Sequence, residues 1–133
     1  MAETFTVEID DINGPYWAGL REGVLQYQAC DCGHRWLPPR KLCPSCLGTG
    51  WRWETASGEG TIRSWVVYHT AYHPDFKDRL PYNVAIVRLA EGPQLIANIA
   101  APHEALRVGA GVRLQPDMSR AQPIALFALH PWY

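Results

Sequence analysis

The chain has 133 residues, a formal net charge of -1 and 47% hydrophobic residues. That length suits one ordinary domain, or two very small ones sharing a core, and the composition excludes a disordered chain. No run approaches the roughly 18 consecutive apolar residues of a membrane helix. A near-neutral balance also argues against a general nucleic-acid binder. Eleven Gly and eleven Pro punctuate the sequence, which favours short strands and turns over long helices. Six Trp is a high count for this length and predicts aromatic side chains in the core or at an interface.

Residues 1–13 are polar, and the acidic start lacks the basic-then-apolar pattern of a secretory signal, which predicts a cytoplasmic protein. Pro15 can open a short helix and Gly23 can close it. Tyr16, Trp17 and Leu20 then share one face. That face either docks on the protein's own ribbon or barrel, or meets another subunit. Residues 24–28 read as a strand, the two prolines in Trp36–Arg40 enforce an extended path, and Trp51–Glu54 reads as a returning strand. Beyond Gly58 the pattern is β: Thr61–Tyr68, Asn83–Leu89, Gln94–Ile99, Val112–Gln115 and Ile124–Leu129. Glu91-Gly92-Pro93 turns between the second and third of these strands, and Pro102–Arg107 supplies one helical turn before the fourth. The fold class is therefore mainly β: an N-terminal helix, a zinc ribbon, and a five-stranded OB-fold barrel, with a five-stranded sandwich as the alternative. The expected organisation is residues 1–23 as N-terminal segment and helix, 24–57 as ribbon, and 58–133 as barrel with an apolar tail.

Four cysteines fall in two pairs, Cys30-Asp31-Cys32 and Cys43-Pro44-Ser45-Cys46. Two knuckles that each present two thiolates complete the tetrahedral shell of one structural zinc ion. Gly33, and Gly48 after the second pair, are expected to let the chain turn so that N–H groups face the sulfurs. The first pair is one residue shorter than the usual C-x-x-C, which leaves His34 as an alternative ligand to Cys30. Two disulfides would require an oxidising compartment, and a redox C-x-x-C would require a βαβ setting. Zinc suits the energetics better. It supplies roughly 10–16 kcal/mol of apparent binding energy to a ribbon with too little core to fold alone. With four ligands filled, no position stays open for catalysis.

In its motifs the chain resembles the acyl-CoA-associated zinc-ribbon and OB-fold proteins of the domain-of-unknown-function family thirty-five, whose ribbon is rubredoxin-like. The matching pieces run in order: Tyr16-Trp17 with Gly23, Gln28 before Cys30, Cys32-Gly33, Pro38-Pro39-Arg40, Cys43-Pro44-Ser45-Cys46, Gly58–Tyr68, Pro81-Tyr82-Asn83-Val84-Ala85 and Val108-Gly109. The shortened first knuckle departs from the family pattern. The resemblance implies a non-catalytic subunit that binds a thiolase-like partner and helps to form or stabilise its acyl-CoA site, in a thiolase, aldolase or acyltransferase complex.

Arg35, Arg40, Lys41 and Arg52 fall together in the ribbon and read either as contacts for coenzyme A phosphates or as a solvated face offsetting the thiolate charge. Trp132 and Tyr133 end an almost uncharged C-terminus. They read as partner-docking aromatics alongside Tyr16 and Trp17, or as a flap folded over those two residues. His69 and His73, and the carboxylates Asp75, Asp78 and Glu104, read as ordinary surface groups. No Ser-His-Asp spacing, phosphate loop or dinucleotide fingerprint is present. Two other functions compete with the accessory subunit. One is a single-stranded nucleic-acid module stacking bases on Trp65, Tyr68 and Tyr72. The other is a small acyl-CoA hydratase-type enzyme.

Overall fold

The computed structural model describes residues 9–69, 82–119 and 122–130. Pro15 lies in the first turn of α1 (Gly14–Arg21), where its missing N–H costs nothing. Gly23, at φ +80°, ends the helix, and the Val24 N–H returns to the Gly19 carbonyl at 2.9 Å. This return holds Val24 to the helix, so β1 spans Gln26–Cys30 rather than beginning at residue 24. β2 (Arg35–Trp36) and β3 (Trp51–Thr55) flank β1 in an antiparallel three-stranded ribbon, order β2-β1-β3. The Leu37–Pro38 peptide bond is cis, and the chain bends at Leu37 and Pro38, which interrupts the extended path expected from the two prolines.

The second half is the expected barrel. β4 (Glu59–Tyr68), β5 (Tyr82–Leu89), β6 (Gln94–Ile99), β7 (Gly111–Leu114) and β8 (Leu126–Leu129) close in the order β4-β5-β6-β8-β7. A single 3-10 turn, His103–Ala105, precedes β7. All pairings are antiparallel except β6 with β8. Gly60 permits the tight β4–β5 approach, since a Cβ there would fall 2.7 Å from the Arg88 carbonyl oxygen. The closed barrel decides against the sandwich.

One core serves both halves. Leu20, Leu25 and Tyr27 pack in the same cluster as Ile62, Val87 and Phe127, all nearly or fully inaccessible. Buried side-chain amides complete the joints. Asn83 donates to the Ile99 carbonyl at 2.8 Å and accepts the Ile99 N–H at 2.7 Å, tying β5 to β6. Gln122 accepts from Arg21 Nε at 2.8 Å and donates to the Trp17 carbonyl at 3.3 Å, tying α1 to the segment before β8. Such groups are costly to bury unless bonded. No helix among the described residues is long and apolar enough to cross a membrane.

Candidate metal centre

Cys30 ends β1, and Cys32 lies in the turn that leads to β2. Gly33 makes that turn at φ +96°, a conformation that side chains resist. Its N–H donates to the Cys30 carbonyl at 2.8 Å, and the Cys30 N–H donates to the His34 carbonyl at 2.8 Å. The second knuckle is closed by Leu47 N–H to the Cys43 carbonyl at 2.8 Å and Cys43 N–H to the Gly48 carbonyl at 3.0 Å. Here the left-handed residue is Leu47, at φ 62°, and the Gly48 N–H faces the Cys46 sulfur as the sequence suggested. Gly48 also provides room, because a Cβ would sit 3.3 Å from the Cys46 sulfur.

The four sulfurs converge, all within 4.8 Å of one another. Cys30 Sγ lies 3.6 Å from Cys46 Sγ, and Cys32 Sγ lies 3.7 Å from Cys43 Sγ. A zinc-sized ion bound at about 2.3 Å to four thiolates sets its sulfurs about 3.8 Å apart. A disulfide needs about 2.05 Å, and all four cysteines are free thiols. The donor set and spacing thus fit a metal ion, and the shortened first knuckle still delivers Cys30. The His34 ring is stacked on Trp36 at 5.7 Å.

Electrostatics favour a cation here. Burial opposes ionisation of Cys43, but the N–H groups of Cys46 and Ser45 and the Cys32 and Cys46 thiols lower it to about 7. The His34 N–H favours the Cys32 thiolate, yet burial and the other three cysteines outweigh it and push Cys32 up to about 12. For Cys46 the Gly48 N–H lowers, while Cys30, Cys43 and burial raise, with a net rise. Four gathered thiols do not readily ionise together without a positive charge among them.

Sequence reasoning did not assign the support around this cluster. Trp36 packs against Cys30 and Cys43, with Trp51 beside them. Trp51 meets Trp36 edge-on at 6.3 Å and donates Nε1–H to the Lys41 carbonyl at 2.8 Å. Gln28, fully buried in β1, bonds both backbone groups of Arg40 and so fixes the strap of prolines between the knuckles. The family motif included Gln28, but its spacing alone did not indicate that role.

The remaining expected residues are distributed as follows. Arg35 donates to the Glu91 carbonyl of the β5–β6 turn at 3.1 Å. Arg52 pairs with Asp31 at 3.3 Å and Glu54 at 2.9 Å. Arg40 and Lys41 are exposed. Tyr16 and Trp17 are partly buried against the shared core and touch edge to face at 4.9 Å. Trp65 also packs on the core, whereas Tyr68 pairs with Tyr82 on the outer face of β4. A stacking platform of Trp65 with Tyr68 is therefore divided between two faces. Trp132, Tyr133, Tyr72, His73, Asp75 and Asp78 lie outside the described residues.

A helix, a four-thiol ribbon fit for a metal ion and a closed OB-type barrel on one core define a four-cysteine-ribbon/OB-fold protein. Residues 53–115 match the family model described as ChsH2, C-terminal OB-fold domain. The chain is 38% identical over 80 residues to a DUF35 domain-containing scaffold protein of Methanothermobacter thermautotrophicus, covering 59% of each. It is 38% identical over 88 residues to a probable enoyl-CoA hydratase alpha subunit of Thermomonospora curvata, covering 65% of this chain and 27% of that protein. The chain thus spans about a quarter of one relative and under two thirds of the other. Its fold superposes on a chain of a solved Ltp2-ChsH2(DUF35) aldolase with a TM-score of 0.82 and 28% identity, covering 93% of this chain and 98% of that one. The resemblance to DUF35 proteins read from the motifs therefore holds in sequence and in fold.

Proposed function

We propose that the chain is a non-catalytic subunit of a cytoplasmic acyl-CoA-processing complex, bound to a thiolase-like enzyme whose acyl-CoA site it helps to form or stabilise. The observation that carries this reading is the near full-length likeness to the DUF35 chain of an aldolase named for two proteins. In this reading Cys30, Cys32, Cys43 and Cys46 hold one zinc ion, which supplies a structural cross-link between the knuckles. Four protein ligands leave no position for substrate. The ribbon, residues 24–57, and the barrel, residues 58–133, then act as one rigid adaptor around the shared core. Arg35, Arg40 and Lys41 are the candidate contacts for coenzyme A phosphates, and Tyr16, Trp17, Trp132 and Tyr133 for the partner. The relative described as a hydratase subunit supports a hydratase as the alternative partner.

Three measurements test the proposal. Elemental analysis of protein purified without added metal should find about one zinc per chain. The purified chain should not turn over a panel of acyl-CoA esters, while its complex with a thiolase-like enzyme should. Deleting residues 131–133 should weaken that complex and leave zinc content intact. Turnover by the rigorously purified chain alone would overturn the accessory role.

A further inference from the structure

Antiparallel barrels that stand in water alternate apolar residues inward with polar residues outward. β5 breaks that rule. Asn83, Ala85, Val87 and Leu89 are buried, yet of the outward positions Tyr82, Val84, Ile86 and Arg88 the first three are also apolar. Register carries the pattern sideways. Val66 of β4 lies opposite Val84, Tyr68 opposite Tyr82, and Ile96 of β6 opposite Ile86. Ile96 is 71% exposed, Val66 53% and Ile86 39%, so nothing in this chain's described residues covers them. Ser64 and Asn98 extend the face; none of these eight positions carries a charge, and Arg88 with Gln94 opposite it bounds the patch at the far end of β5.

The face is not flat. Beside Ile96 it opens into a cavity of about 180 Å³ lined by Tyr16, Leu37, Pro38, Pro39 and Leu95. A second cavity of about 280 Å³ brings Tyr16 and Trp17 together with Tyr82, Val84 and Ile96. α1 and the proline strap therefore form raised walls along one side of an apolar sheet.

We propose that this face, the outer side of β4, β5 and β6 with the grooves beside α1, is the surface on which the catalytic partner subunit docks. The proposal rests on the accessory-subunit reading above and adds where the contact is made. The chemistry of the face selects the occupant. Its centre is uncharged, and Arg63 and Arg88 lie only at its end, so it offers little to a nucleic-acid backbone, which is held mainly by several Lys and Arg. A second copy in a two-fold contact would need the same patch to supply both hollows and protrusions. Here the outward side chains beside the hollows, Ile96 and Val84, are short aliphatics, and the larger Tyr68 and Tyr82 rings lie against each other. A protein surface with protruding apolar anchors and few charges fits, as in the desolvated centre of a stable interface.

The test co-expresses the tagged chain, one at a time, with the thiolase-like and hydratase-like proteins encoded in its own genome. Wild type is compared with I96E, with V66E, and with V108E, a control whose exposed valine lies in the loop before β7. All three sites are solvent-exposed, and metal content and melting temperature report that each variant is folded. I96E and V66E should bind the enzyme at least tenfold more weakly, with V108E equal to wild type. If wild type binds an enzyme and I96E and V66E bind it equally well, the surface assignment is overturned while the accessory role stands. If wild type binds none of the enzymes, the accessory role itself fails, and the surface assignment with it. If light scattering shows the chain alone as a dimer that I96E makes monomeric, the face belongs to a second copy and the proposal is wrong.

Discussion

Gln28 and Arg40 are joined by two hydrogen bonds: the Gln28 amide nitrogen donates to the Arg40 carbonyl at 2.7 Å, and its oxygen accepts the Arg40 N–H at 2.7 Å. A side chain thereby makes both bonds that a neighbouring strand would otherwise make. Pro38 and Pro39 cannot donate to a ladder, so this single amide holds the strap against the ribbon. Gln28→Ala should leave both backbone groups unpaired and cost about 1–3 kcal/mol. Chemical denaturation of the metal-loaded protein measures it. Asn83→Ala removes the equivalent clamp on Ile99 and should cost a similar amount.

Cys43 is fully buried and touches Trp36. Cys43→Ser should abolish stoichiometric metal binding and unfold the ribbon, with a change in tryptophan emission because Trp36 loses its packing. Gly48→Ala is the graded counterpart. Its new methyl would press on the Cys46 sulfur from 3.3 Å, so metal affinity should fall while the fold remains. Competition with a chromogenic chelator ranks the two variants. Equal metal retention by Cys43→Ser would sink the four-thiol site.

Tyr16 gives an alkaline signature. Burial pushes its phenol up to about 12, so the folded protein keeps the proton that the unfolded chain releases near pH 10. Between those values the unfolded state binds fewer protons than the native one, and stability falls as pH rises. Below the lower value Tyr16 contributes no pH dependence. Tyr27, raised by burial and by its bond to Glu54, acts in the same direction. Tyr16→Phe should therefore flatten the loss of stability between about pH 10 and 12, read by denaturant midpoints across that range.

A methyl at Gly60 would meet the Arg88 carbonyl oxygen at 2.7 Å and Val87 Cγ1 at 2.9 Å. The obstacle is mainly backbone, which cannot swing aside. Gly60→Ala should destabilise the barrel by about 1–3 kcal/mol, with metal stoichiometry unchanged. A melting temperature equal to that of wild type would contradict the close β4–β5 approach.

Much of this architecture was legible because local rules and tertiary structure agree. Pro15 and Gly23 bracket α1, Glu91-Gly92-Pro93 turns β5 into β6, and the cysteine pairs announce a shared ion. What escaped depends on distant partners. A glutamine in an apolar strand gives no hint that its partner is a backbone group twelve residues on. Leu47, which is not a glycine, takes the left-handed position in the second knuckle, while Gly48 gives room beside a sulfur. The apolar outer patch of Val84, Ile86 and Ile96 was hidden for another reason. A run such as Val84–Leu89 looks the same whether it is buried on two faces or exposed on one.

The bonds of Gln122 impose an order on synthesis. It reaches back 101 residues to Arg21 and 105 to Trp17, so α1 is not fully seated until residue 122 has left the ribosome. All four cysteines lie within the first 46 residues. Their thiols can gather while the barrel is still being made, and closure through the parallel β6–β8 pair comes last. During that interval Leu20, Leu25 and Tyr27, which complete the core from the ribbon side, have no barrel to cover them. The nascent chain is then a natural client for a chaperone that shields apolar surface. Ribosome-stalled chains ending before residue 122 should remain cleavable in α1 even when loaded with metal.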